Sequence, residues 1–197
     1  MKKAVQKIVQ KEDPVLREIS KEIPLKDINN AKVKKVIRDM KSMLATQPDG
    51  VAIAAPQIGV ALRIFVVAGK IFDESFKRKS EEPIEKTEKK SPDLVFINPV
   101  ITKLSKAKKW MHEGCLSVRP LWGEVHRSTN ATITAYDEHG TRITRGAGGL
   151  LAHIFQHETD HLDGILFIDK ARNIAPGEVP HPILPKKKSV KKHVEQN

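Results

Sequence analysis

Gly149-Leu-Leu-Ala-His-Ile-Phe-Gln-His157-Glu158-Thr-Asp-His161-Leu-Asp-Gly164 decides how this 197-residue chain is read. Leu150, Ile154, His157 and His161 fall at i, i+4, i+7 and i+11, the spacing of one helix face. Leu151, Phe155, Glu158 and Leu162 form a neighbouring stripe. Gly148 and Gly149 stand where a helix can begin, and Gly164 stands where a left-handed cap would end it. Two imidazoles one turn apart can hold one ion, and the glutamate between them can reach a water on that ion. Because both histidines share the apolar face, where an unpartnered imidazole is costly, the pattern favours a metal site over satisfied core histidines.

Outward from this helix, the chain suits one domain with a sizeable core. The single cysteine, Cys115, excludes an intramolecular disulfide and fits a reducing compartment. No apolar run follows the basic start, so no secretory signal is expected, and no stretch is long enough to cross a bilayer. A cytoplasmic location follows as the expectation. The 35 Lys and Arg exceed the 24 Asp and Glu, and the excess gathers at the two ends. Weak attraction to ribosomal RNA through the basic termini is expected. With 6 Phe, 2 Trp and 1 Tyr and no basic-aromatic interleaving, neither a single-strand binding face nor sequence-specific nucleic-acid recognition is.

Periodicity predicts a helix over 28–45, with Val33, Val36, Ile37, Met40 and Leu44 on one face. The run from Gly50 to Gly59 is built of small residues, where a backbone or a ligand comes close. Strands are expected at Leu62–Val67, Leu94–Ile97 and Val100–Leu104, with Asn98-Pro99 separating the last two. Ala131–Tyr136 and Thr141–Thr144 read as a hairpin closed by Asp137-Glu-His-Gly140. Ile165–Ile168 reads as a last short strand. Residues 73–93 form a polar surface insertion and 171–197 a loose Pro/Lys-rich tail, leaving 1–170 as one catalytic domain. The expected class is α+β: short antiparallel or mixed sheets packed around a central metal-binding helix.

A catalytic site needs a third protein ligand. A metzincin-type completion would place it at Phe167, which cannot coordinate. A downstream carboxylate would have to be Glu178 or Glu195, both in the tail. Upstream, Cys115 sits among small residues in Glu113-Gly-Cys-Leu-Ser117. A lone cysteine is read equally as a thiolate ligand or as a small buried hydrophobe.

Three stretches, Gly50-Val-Ala-Ile-Ala-Ala-Pro-Gln57-Ile-Gly59, Glu113-Gly-Cys115-Leu-Ser117 and Gln156-His157-Glu-Thr-Asp-His161-Leu-Asp-Gly164, resemble the signature motifs of the peptide deformylase family, in that family's order. The resemblance runs from about Val9 to about Asp169. It implies a hydrolase that removes the formyl group from the N-terminal formyl-methionine of nascent polypeptides and releases formate. In that family Cys115, His157 and His161 would be the metal ligands and Glu158 the acid/base. The Gln57 side chain and the Leu116 amide would bind the developing oxyanion, and Glu113 would pair with Arg127. Gly50, Val51, Leu150 and Ile154 match substrate-pocket positions, although core packing explains the apolar three equally well. The resemblance also implies one divalent metal per chain, typically Fe(II), with Zn, Ni or Co able to occupy the site. The chain is expected to be a monomer.

Departures from the pattern lie around the groove. Ala52 stands where the family usually has glycine, Val118 leads into Arg119-Pro120 rather than Pro-Gly, and Trp122 fills a position often basic. Two rival classes remain at this level: a conventional metallopeptidase, and a basic RNA-binding module with an inactive or structural metal site.

Overall fold

The computed structural model describes residues 7–73, 76, 90–177 and 179. Among the described residues eight strands form two antiparallel sheets. In the first, β1 (Ala52–Ala54), β2 (Ile64–Val67), β3 (Leu94–Leu104), β6 (Asn130–Tyr136) and β7 (Arg142–Gly148) lie in the order β1-β2-β3-β6-β7. In the second, β5 (Leu121–Ser128) runs between β4 (Lys108–Gly114) and β8 (Arg172–Pro176). Among the described residues two helices complete the frame, α1 (Ala31–Ala45) and α2 (Gly149–Leu162). The α+β expectation holds, with every ladder antiparallel.

The larger sheet is covered on both faces, which is why β2 is an unbroken apolar run. Ile64 and Val66 join Val95 and Ile97 against the α1 residues Val33, Val36, Ile37, Met40 and Leu44. Phe65, Val67 and Phe96 point the other way, toward Ala152, Ile154, Phe155 and Leu162 of α2. Side chains alternate across a strand, so a strand buried on both faces shows no polar alternation. Phe65 stacks on Phe96 at 4.7 Å between centroids, and Phe155 meets Phe96 edge-on at 5.3 Å. A third cluster of Leu16, Val118, Val125, Leu166 and Phe167 lies against β5.

Helix α1 begins later than the periodicity suggests. The Asn30 side chain accepts from Val33 N at 2.8 Å and sets the start, after a 3-10 turn at Leu25–Asp27. The hairpin forms as expected: Asp137 Oδ1 accepts from His139 N and Thr141 N and shapes the turn between β6 and β7. Strand β7 then runs directly into α2.

Three expectations need correction. Asn98-Pro99 does not separate two strands: β3 is continuous, with a register shift between Ile97 and Val100. Asn98 takes φ 49° there, and its amide bonds Ile23 N and Ile23 O at 2.9 and 2.7 Å, standing in for a missing strand partner. Ile165–Ile168 is not a strand; Phe167–Asp169 forms a 3-10 turn whose Asp169 carboxylate accepts from Leu166 N. That apolar run fills the third cluster instead of pairing. Arg172–Pro176, expected in a loose tail, is β8. Strands β4 and β5 were not anticipated. Of the 73–93 insertion, only Asp73, Phe76 and 90–93 are described, and the rest lies outside the described residues, as does the tail beyond Gly177 apart from Val179. At the insertion's base, Asp73 Oδ1 accepts from Ser91 N and Asp93 Oδ1 from Gly69 N. No helix among the described residues is long and apolar enough to cross a membrane.

Candidate metal centre

Helix α2 sets His157 and His161 one turn apart, with ring centroids 4.9 Å from each other. Its end is fixed by Gly164, whose φ of +72° suits a left-handed cap. A Cβ there would lie 2.6 Å from Arg17 O, so the N-terminal segment packs directly on this turn. Strand β4 delivers Cys115 immediately after Gly114, into a turn closed by Val118 N on Cys115 O at 3.0 Å. The three donor atoms of Cys115, His157 and His161 lie within 4.8 Å of one another. Cys115 Sγ stands 3.1 Å from His161 Nε2. It also receives Ser117 N and Gln57 Nε2, each at 3.4 Å.

One buried carboxylate organises the surroundings. Glu113, 3% exposed, lies two residues before Cys115. Arg127 donates Nε to its Oε1 at 2.7 Å and Nη2 to its Oε2 at 3.1 Å. His153 Nε2 donates to Oε1 at 2.6 Å and His157 Nδ1 to Oε2 at 2.8 Å. Since a carboxylate only accepts, both imidazoles must carry protons on these nitrogens, which leaves Nε2 as the His157 atom that a cation would take. Burial alone would raise the Glu113 pKa. The bonds from His153 and His157, the His157 charge and Arg127 overcome that and hold the group well below the usual carboxylate range. Arg127 also bonds Asp160 through Nη1 at 2.6 Å, and Lys170 reaches the other Asp160 oxygen at 2.7 Å.

The two ring systems divide their charge. Burial would lower the His157 pKa, yet its bonds to Cys115 and Glu113 carry it well above 6.5. Burial, and then the neighbouring His157 charge, push His161 well below 6.5. The pair therefore accommodates one positive charge, which a cation would supply in place of a proton. Two further buried atoms, His161 Nδ1 and Glu158 Oε2, have no partner among the described residues. Glu158 is 4% exposed, and burial raises its pKa to about 7 despite the opposing His157 charge. A cysteine sulfur, two imidazoles and an adjacent carboxylate with one oxygen unpartnered among the described residues suit a divalent transition metal with an open position.

Gln57 is fixed by its own helical turn, where Gln57 Oε1 accepts from Ala54 N at 2.8 Å. Its NH2 is thereby aimed at Cys115 Sγ and at Ser117 Oγ, 3.3 Å away. The Leu116 N–H makes no hydrogen bond among the described residues, while Leu116 O accepts from Gln10. Val51, Leu150 and Ile154 share the core cluster between α2 and the larger sheet. Gly50 approaches the end of α1: a Cβ there would lie 2.9 Å from Gln47 Cβ. His153, Gln156 and Asp160 are site-supporting residues that the sequence reading passed over. Gln156 clips α2 to Ser128 by bonds to its N and O at 3.0 and 2.9 Å. A histidine four residues before His157 was the available signal for His153. A cleft of about 560 Å³ opens beside Thr159, Asp160, Asp163, Val100 and Leu104, and none of the three donors lines it.

The family model for polypeptide deformylase matches residues 5–176. The chain belongs to the polypeptide deformylase family. It is 42% identical over 164 residues to the chloroplastic/mitochondrial peptide deformylase 1A of Arabidopsis thaliana, covering 83% of this chain and 60% of that one. With the peptide deformylase of Desulforudis audaxviator it shares 37% identity over 177 residues, covering 87% and 96%. A crystal structure of a class I type b peptide deformylase from Acinetobacter baumannii, bound to Met-Ala-Ser, superposes with a TM-score of 0.70 at 26% identity, covering 85% of this chain and 98% of that one. The chain spans about 60% of the length of the plant deformylases it matches.

Proposed function

We propose that this chain is a metal-dependent deformylase that hydrolyses the formyl amide of N-formyl-methionyl nascent peptides. The observation that carries this reading is the convergence of Cys115, His157 and His161 beside a buried Glu158 carboxylate, one of whose oxygens has no partner among the described residues. Family membership and the Met-Ala-Ser bound to the Acinetobacter baumannii relative support the substrate class.

In this reading Cys115, His157 and His161 hold one divalent metal, Fe(II) in the cell, with Zn, Ni or Co as substitutes. Such a cation, when bound, supplies Lewis acidity that polarises a carbonyl and acidifies water. The residues of the chain do the rest. Glu158, with a pKa near neutrality, takes the proton of the attacking water as its oxygen bonds to the formyl carbon. Negative charge then collects on the former carbonyl oxygen. The Leu116 N–H and the Gln57 amide, pre-aimed by its bond to Ala54, donate to it; loss of one such donor typically costs about a hundredfold or more in rate. Glu158 passes its proton to the leaving nitrogen, the C–N bond breaks, and formate and a free N-terminus depart. Glu113 and Arg127 keep the His157 ring in the tautomer that offers Nε2 outward. Gly50, Val51, Leu150 and Ile154 form the wall of the methionine slot.

The same reading carries a monomer acting in the cytoplasm, where formylated chains emerge, with weak ribosome attraction through the lysine-rich termini. The deciding experiment is formate release from a formyl-Met tripeptide by protein prepared without oxygen, together with elemental analysis. Formate release proportional to bound metal is expected. Metal-free protein in the purified state, or cleavage of internal bonds in an unformylated peptide, overturns the reading.

A further inference from the structure

The His153–Glu113 bond is not part of any metal ligand, yet it lies one rung away from the site. Helix α2 presents His153, His157 and His161 at i, i+4 and i+8, one stripe along its side. Facing them, the β4 segment presents Glu113 and, two residues on, Cys115. Four helical residues rise about 6 Å, and two strand residues rise about 6.8 Å. The two steps nearly match, so helix and strand meet as a ladder. Glu113 is gripped between His153 and His157, and Cys115 faces His157 and His161. A slip of one helical residue would move the sulfur away from the paired rings.

We propose that His153 is a positioning residue for the metal centre: its Nε2–H locks Glu113 Oε1 and so fixes the register at which the cysteine turn meets His157 and His161. This rests on the reading of Cys115, His157 and His161 as ligands. Three features carry it. At 2.6 Å the bond is shorter than either Arg127–Glu113 bond. His153 is buried, so the bond does not compete with bulk water. The carboxylate oxygens are also used in balance: Oε1 holds His153 and Arg127 Nε, while Oε2 holds His157 and Arg127 Nη2. Without His153, the carboxylate keeps Arg127 but loses the one donor from α2 that is free of the metal. The bond to His157 must then orient ring and carboxylate at once.

The test compares His153→Leu, which removes the donor at similar bulk, with His153→Gln, which can place an amide N–H at the same oxygen. Loaded with Co(II), the Leu variant is expected to release metal to a chelator about tenfold faster than the unaltered protein, the usual scale for losing an outer partner of a ligand. Its Co(II) absorption bands should shift, and the Gln variant should restore both readouts to within about threefold. The rise in melting temperature on metal loading should shrink in the Leu variant, because that rise reports affinity. Unchanged release and spectrum in the Leu variant overturn the proposal. So does an equal fall in the melting temperatures of the metal-free and loaded forms, which marks mere structural support. Should the Leu variant not fold, His153→Asn, too short to reach Glu113, is compared with Gln, and equal metal release by those two overturns the proposal. If the unaltered protein binds no Co(II), it is the ligand assignment that fails.

Discussion

Cys115 Sγ and His161 Nε2 lie 3.1 Å apart although 46 residues of chain separate them. The contact joins the turn after β4 to the last turn of α2, and the proposed chemistry depends on it. Cys115→Ser keeps the shape but replaces a soft thiolate with a hydroxyl that stays protonated at neutral pH. Metal content after dialysis is expected to fall well below one per chain, while the far-ultraviolet circular dichroism stays unchanged. Full retention of metal would reject the thiolate ligand.

In the proposed reading Glu158 moves protons, and one of its oxygens is buried without a partner among the described residues. Glu158→Gln is expected to retain metal and to lose about a hundredfold to ten-thousandfold in turnover. Because only the ionised carboxylate can accept a proton, kcat/KM should rise with pH through the Glu158 pKa. Burial sets that value at about 7 in the chain by itself, and a nearby cation would draw it lower. Steady-state assays from about pH 5 to 8 would reveal the acid limb, which should be absent from the residual activity of the Gln variant.

Glu113 and Arg127 form a buried ion pair, and loss of the carboxylate leaves Arg127 with Asp160 as its one acidic partner among the described residues. Glu113→Gln is expected to destabilise the protein by about 1–3 kcal/mol, read from urea unfolding of the metal-free form. The pair also predicts a pH dependence. The folded pKa of Glu113 is held well below its ordinary 4.5, so the stability it gives is complete above that value. It is lost as pH falls toward the folded pKa. From about pH 5 to 3, His157 is protonated in both the folded and the unfolded chain and adds no slope of its own. The unfolding midpoint should drop in this window for the unaltered protein and stay flatter for the variant.

Gly164 is the hinge between α2 and the segment that packs beneath it. Gly164→Ala puts a Cβ on a left-handed backbone and against Arg17 O. A loss of about 1–3 kcal/mol is expected, seen as a lower thermal midpoint. No change in midpoint would show that the Arg17 segment yields freely.

How much of this was legible depended on which face a residue turned. The α1 stripe and the hairpin followed directly from periodicity and turn composition, and α2 from its spacing and flanking glycines. Strands β4 and β5 were hidden because their inward positions include Glu113 and Arg127, so a buried surface reads as polar. Asn98 looks like a strand breaker until its amide is seen bonding both polar groups of Ile23. Ile165–Ile168 has the composition of a strand, but its Leu166 and Phe167 are buried in the third cluster instead of pairing. Of the site, the paired histidines and Glu158 could be placed from spacing alone. Cys115, Gln57 and the Leu116 amide needed the resemblance, because their nearness is created by strand pairing far from α2. The roles of Glu113 and Arg127 were likewise implied only by resemblance, and His153 was missed because one helical histidine among eight carries no label.

Strand β8 pairs with β5 beyond the cysteine turn, Gly177 N bonds Pro120 O at 2.9 Å, and Val179 closes over Gly114. The far end of the described chain thus buttresses the loop that presents the sulfur. A proteolytic nick before Arg172 would strip β5 of a neighbour and loosen that loop from outside, whereas an affinity handle attached well past Val179 would leave the buttress standing.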